Sequence, residues 1–149
     1  PENSVQIGIR TQNYCTHGFN ILHAPWIHEH GVQAVIDKIH NVISTDDPVY
    51  ITFDIDCLDP AFAPGTGTPV VGGLTTTQVL PILRSLGDLK LIGMDIVEVA
   101  PVYDHAEITA LAAATLAYNY LCLLAQMKGA KAELIGTRLD ETSSGSAAG

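Results

Sequence analysis

The residues with the clearest chemical potential lie in the stretch Phe53-Asp54-Ile55-Asp56-Cys57-Leu58-Asp59-Pro60. Asp54 and Asp56 stand two apart at the end of an apolar run. On an extended chain, residues two apart point the same way. Two carboxylates held side by side repel each other unless a cation lies between them, and their oxygens suit Mg, Ca or Mn. The plainer reading is that these aspartates cap the next element or bond loop amides, which a lone D-x-D allows. A second acidic pair, Asp95 and Glu98, ends the next apolar run. If the two runs are adjacent strands, three or four carboxylates converge on one edge. Such a cluster is hard to sustain without a metal or a cationic ligand.

Other reactive residues point less clearly. His28-Glu29-His30 lacks the H-E-x-x-H spacing, and helical residues two apart do not share a face, so both histidines read as surface residues. His17, His23 and His40 have no evident partner, whereas His105 follows Glu98 by seven positions. Gly65-Thr66-Gly67-Thr68 lacks the Lys that a phosphate cradle requires. Cys57 has no evident base beside it. Cys15, Cys57 and Cys122 are widely spaced and odd in number. That argues against a disulfide framework and for a reducing, cytoplasmic setting.

The elements that must position these residues follow from pattern. Val5 to Ile9 and Val49 to Phe53 are short apolar runs. The second, without polar alternation, suits a parallel strand covered on both faces. Phe19 to His23 suits a short strand, and Leu89 to Val97 a longer one. Apolar residues spaced three and four apart predict a helix from about Glu29 to Ser44, ended before Pro48. Helices are also expected from about Thr75 to Leu86, capped by Thr75 or Thr76, and from about Glu107 to Lys128. The loop from Cys57 to Gly73, rich in Pro, Gly and Thr, is long enough to be functional. Alternating strands and helices imply an α/β fold with a parallel sheet, whose ligands bind beyond the strand carboxyl ends.

Composition sets the outer bounds. The 149 residues suffice for one ordinary domain, and 47% are hydrophobic. A formal charge of −9 disfavours nucleic acid and anionic membranes and mildly favours cationic ligands. Ile108 to Met127 carries Thr109, Thr115, Asn119 and Gln126, and reads as a buried helix rather than a membrane span. The first residues lack the order of a signal peptide. The Ser/Gly/Ala-rich tail from Glu141 to Gly149 is expected to be disordered.

Taken together, the blocks from Ser4 to Thr11, Phe53 to Pro60, Ala63 to Leu74 and Gly93 to Pro101 resemble the ureohydrolase family of arginases and agmatinases. The resemblance covers roughly residues 4 to 128. Cys57, Tyr103-Asp104 and Glu107-Ile108-Thr109-Ala110 look agmatinase-like. The fold so implied is an arginase-like three-layer sandwich with a parallel sheet. Residues 1–140 would then be the C-terminal half of one such domain.

The resemblance also implies hydrolysis of agmatine to putrescine and urea, a step of polyamine biosynthesis, by two Mn²⁺ ions that activate water. Guanidinobutyrate or another guanidino compound is the alternative substrate. Asp54 and Asp56 would be metal ligands. Glu98 would be the catalytic carboxylate that binds the guanidinium, and Thr68 would line the pocket. A trimer or hexamer is implied on the same ground.

The family's Gly-Gly-Asp-His and Asp-Ala-His-x-Asp blocks and its substrate-loop His do not occur here. The chain alone is therefore expected to bind metal poorly and to lack activity unless another chain supplies them. Two rival readings are a non-catalytic ureohydrolase-like subunit and a haloacid dehalogenase-type phosphatase. In the latter a strand-end D-x-D usually continues with Thr or Val rather than Cys57-Leu58.

Overall fold

The computed structural model describes residues 1–12 and 15–129. Strands and helices alternate as expected: β1 (Val5–Ile9), β2 (Asn20–His23), α1 (Ala24–Val42), β3 (Pro48–Asp54), α2 (Thr76–Arg84), β4 (Lys90–Val97) and α3 (Ile108–Met127). Short 3-10 turns occupy Ile55–Cys57, Ser85–Asp88 and Pro101–Tyr103. The expected tail from Glu141 to Gly149, and the boundary at residue 140, lie outside the described residues.

The described strands form two parallel pairs, β1 with β2 and β3 with β4. Parallel pairing needs a crossover; α2 supplies it between β3 and β4, residues 10–19 join β1 to β2, and α1 leads from β2 on to β3. The three helices pack in sequence, α2 touching both α1 and α3, with α1 also against β1 and β2 and α3 against β4. Ile27, Val35, Leu58, Leu74, Leu89 and Leu116 lie at the centre of the core, each 1% exposed or less. The arrangement is an α/β fold of parallel strand pairs and packed helices, as expected.

Local sequence explains the boundaries. Pro25 starts α1 because a helix's first turn does not need its N–H. The helix therefore begins five residues before the expected position. Gly31, at φ 82° and ψ 173°, breaks it into residues 24–30 and 32–42. Thr75 caps α2 in a reciprocal box: its hydroxyl accepts from the Gln78 amide, and Gln78 Oε1 accepts from the Thr75 amide.

Two expectations change. β3 is not covered on both faces, since its residues alternate between core and solvent. Val49, Ile51 and Phe53 face the core, while Tyr50 is 56% exposed, as is Ile92 (62%) on β4. Likewise α3 is not buried all round. It seats Thr109, Ala112, Leu116, Tyr120 and Leu123 inward and leaves Leu111, Tyr118 and Leu121 exposed. It is long and apolar enough to cross a membrane by composition alone, but its inward face is packed on α2 and β4.

Candidate active site at the carboxyl ends of β3 and β4

Register explains why the acidic groups meet. Asp54 pairs with Val97 at the end of the β3–β4 ladder, so Glu98 is the first residue beyond it. Glu98 takes the left-handed conformation, φ 64°, rare for a residue with a side chain and characteristic of functional turns. Its charge reaches Asp54, as does that of Asp56. Partial desolvation, reinforced by these two like charges, pushes the Asp54 carboxyl above its ordinary range, against the opposing bond from the Asp56 amide. A divalent cation would relieve this repulsion.

Asp54 and Asp56 are brought together, but not by an extended chain. Ile55–Cys57 is a 3-10 turn, and Asp54 Oδ1 accepts from the Asp56 N–H at 3.1 Å. Asp54 thus caps the turn as well as facing Asp56. Thr68 donates its hydroxyl to Asp56 Oδ2 at 3.4 Å, which places it at the same cluster. A β-carbon added to Gly67 would lie 3.8 Å from Glu98 Oε2. The expected site residues Asp54, Asp56, Glu98 and Thr68 therefore share one strand-end surface.

Asp95 does not join them. It lies within β4 and accepts from the Tyr50 hydroxyl at 3.1 Å on the open sheet face. Burial pushes the Cys57 thiol up to about 12, which leaves it protonated and inert at neutral pH. Among the histidines, His23 meets the Ile9 carbonyl at 3.2 Å, His28 meets the Gly72 carbonyl at 3.1 Å and His40 meets Asp88 at 3.7 Å. His30 stacks on Trp26. His105 is exposed and contributes its backbone N–H to Asp104.

Arg10 and Asp59 hold the site's loop, and the pattern reading gives neither a role. Arg10 leaves the end of β1 and donates to the carbonyls of Asp56 (2.7 Å), Leu58 (3.3 Å), Val70 (2.9 Å from Nε) and Gly8 (3.4 Å). One planar fork thereby joins both ends of the loop to β1. Asp59 accepts from Ala61 at 3.0 Å, Gly72 at 2.7 Å and Gly73 at 3.2 Å. The Ala61 amide, joined by Gly72 and Gly73, holds its pKa below the usual range. A cation at a strand end is the signal for Arg10, since Lys and Arg number only 7 against 16 acids.

Beside this site lies a cleft of about 1110 Å³, lined continuously by residues 3–11 around β1 and 47–54 along β3. Every residue of both strands borders it, whichever face its side chain takes, so the cleft meets their main-chain edges. Neither edge is hydrogen-bonded to another described strand. Asp54, Asp56 and Thr68 also line the cleft, together with the apolar Ile39, Val79 and Leu83.

The oxygen donors fit manganese in kind. Among the described residues, however, no three His, Cys, Asp or Glu side chains are grouped closely enough to hold an ion. Asp54 and Asp56 can contribute to a metal site but do not complete one.

Comparison with known proteins agrees with this fold. The model of the arginase family matches residues 1–122, and the chain belongs to that family. It is 61% identical to the agmatinase of Chromobacterium violaceum over 128 residues, which is 86% of this chain and 39% of that protein. The crystal structure of a hypothetical agmatinase from Burkholderia thailandensis superposes with a TM-score of 0.84 at 57% identity, covering 87% of this chain and 41% of the other. Proclavaminate amidino hydrolase from Streptomyces clavuligerus superposes at 0.78 with 43% identity, covering 84% and 44%. The chain thus spans about two fifths of the length of the relatives it matches.

Proposed function

We propose that this chain supplies one half of a manganese-dependent ureohydrolase site that hydrolyses agmatine to putrescine and urea in the cytoplasm. The observation that carries the reading is the convergence of Asp54, Asp56 and Glu98 at the ends of two paired strands. Glu98 pairs with the planar guanidinium through charge-assisted hydrogen bonds and fixes the carbon to be attacked. Thr68, bonded to Asp56, lines the same pocket. Asp54 and Asp56 hold the metal pair, which when bound supplies water ionisable near neutral pH.

The remaining ligands come from polypeptide outside this chain. An extended segment laid in the cleft between β1 and β3 pairs with both free edges and delivers its end beside Asp54 and Asp56. Residues 1–140 form one half of a single ureohydrolase domain in this assembly, which is itself a trimer or hexamer. A different guanidino substrate is the second reading, favoured by the 43% identity to an amidino hydrolase named for proclavaminate.

Co-expression tests this. The partner is the part of the Chromobacterium violaceum agmatinase outside the matched 128 residues. The expected complex binds two manganese ions per site and turns over agmatine, while neither piece does so alone. A complex that binds manganese but hydrolyses no guanidino compound would establish a non-catalytic subunit instead. Unchanged manganese affinity in the Asp54→Asn complex would remove the metal role of Asp54.

A further inference from the structure

The middle of the long loop is held from behind by the start of α3. Gly65 donates its N–H to Thr109 Oγ1 at 2.7 Å, and its carbonyl accepts from the Ala100 amide at 2.8 Å. Thr109 is fully buried. Ala100 lies two residues beyond Glu98, so Gly65 is tied at once to α3 and to the segment after β4 that carries Glu98.

Asp104 holds this arrangement together. The N-cap of α3 is Glu107, left-handed at φ 59° with no capping bond from its side chain. Ala106 and Glu107 are both left-handed and turn the chain so that Asp104 sits over the helix start. Its carboxylate accepts from the amides of Thr109 and Ala110, each at 3.0 Å, and of His105 at 2.9 Å. The capping task has moved three residues upstream. Burial alone would raise this carboxyl, but the Ala110 and Thr109 amides, the Thr109 hydroxyl and the His105 amide outweigh it and hold it at about 2. Asp104 also packs on Gly65 so closely that a β-carbon there would lie 2.7 Å from Asp104 Cβ.

Gly67 and Thr68 lie two and three residues beyond Gly65, with Gly67 near Glu98 and Thr68 against Asp56. From this we infer that Asp104 and Thr109 are positioning residues that set the gap between Thr68 and Glu98, and so the fit of the guanidinium end of a substrate. Neither touches the substrate. The inference rests on the proposed function above, because it presumes a guanidinium in that gap.

Thr109→Val removes the hydroxyl acceptor at nearly constant volume, and Thr109→Ser keeps it. Amide exchange on the full chain reads the link directly: Gly65 exchanges faster in the valine variant and as in the parent in the serine variant. The binding consequence is read in a chimera in which this chain replaces the matched 128 residues of the Chromobacterium violaceum agmatinase. Guanidinium ion probes the Glu98 end alone, and putrescine probes the rest of the pocket.

In the valine chimera, inhibition by millimolar guanidinium weakens about tenfold while inhibition by putrescine is unchanged, consistent with a misaligned charge-assisted pair. The serine chimera restores both. Equal weakening toward both inhibitors, failure of serine to rescue, or an unaltered Gly65 amide would each overturn the positioning role. An unsubstituted chimera that turns over no agmatine overturns the proposed function itself, and with it any guanidinium gap to be set.

Discussion

The loop at the strand ends and the cleft between β1 and β3 are built on opposite principles. Residues 57–73 are anchored at both ends by Arg10 and Asp59 and in the middle by Gly65, Thr109 and Ala100. In the cleft, two strand edges border open space, with no strand between them among the described residues. The difference teaches where this chain is self-sufficient. It completes the scaffold behind Thr68 and Glu98 from its own residues. Asp54 and Asp56 instead border the open cleft.

Hydrogen exchange offers the widest separation of the two regions. Amides of β1 and β3 that are not bonded to β2 or β4 are expected to exchange about a thousandfold faster than the Gly72 and Gly73 amides held by Asp59, a gap comparable to a modest global stability. Binding of the complementary polypeptide should slow the edge amides alone. Equal protection at both places in the free chain would break the comparison.

Arg10 provides the next largest effect. Replacing it by alanine leaves four loop and strand carbonyls without their donor, and urea denaturation should show a loss of about 3 kcal/mol. Arg10→Lys should recover only part, because one ammonium cannot span the carbonyls of Asp56, Leu58 and Val70 as a planar fork does. Gly65→Ala acts at the middle anchor. Its β-carbon would stand 2.9 Å from Asp104 Cα, and the expected cost is about 2 kcal/mol by the same measurement. Full stability in either alanine variant would mean that the loop holds itself.

Much of this contrast was legible in the sequence, and the failures have specific causes. Val49 to Phe53 and Leu89 to Val97 could be placed because β-branched and aromatic runs between turn residues have few alternatives. The meeting of Asp54 and Glu98 followed from pairing those runs. Extended-chain logic for Asp54 and Asp56 reached the right neighbours by the wrong route, since a 3-10 turn brings them together. Helix α1 begins before the apolar periodicity that predicts it, because Pro25 suits a first helical turn that such spacing does not report. The open face of β3 was invisible because Tyr50 and Thr52 satisfy strand propensity equally well in core or solvent. Arg10, Asp104 and Thr109 act on groups 46, 5 and 44 residues away, and no local pattern reports the long links.

Titration separates the two regions by sign. The folded pKa of Asp104, about 2, lies below the unfolded carboxyl value of about 3.9. Its contribution to stability is full above pH ~4 and is lost as pH falls from about 4 toward 2. Asp104→Asn should flatten that limb of the stability curve, measured by denaturant titration from pH 2 to pH 5. A limb unchanged by the substitution would show that the amide bonds do not discriminate the charged form.

The smallest effect expected is also the one that ties stability to function. Asp54 is raised, so its contribution has the opposite sign: it is present below the unfolded pKa of about 3.9 and lost as pH rises through the folded value. At neutral pH the ionised Asp54 therefore works against the fold, through desolvation and repulsion from Asp56 and Glu98. Asparagine keeps the oxygen that accepts from the Asp56 amide and discards the charge. Asp54→Asn should thus make the isolated chain slightly more stable at pH 7, by a small rise in melting temperature that vanishes near pH 3. The same substitution should weaken manganese binding in the co-expressed complex. A carboxylate whose charge destabilises the free chain while serving the assembly fits a ligand role, whereas one whose charge strengthens the bond from the Asp56 amide would cost stability when neutralised. A fall in melting temperature at pH 7 would assign the Asp54 charge to the Ile55–Cys57 turn.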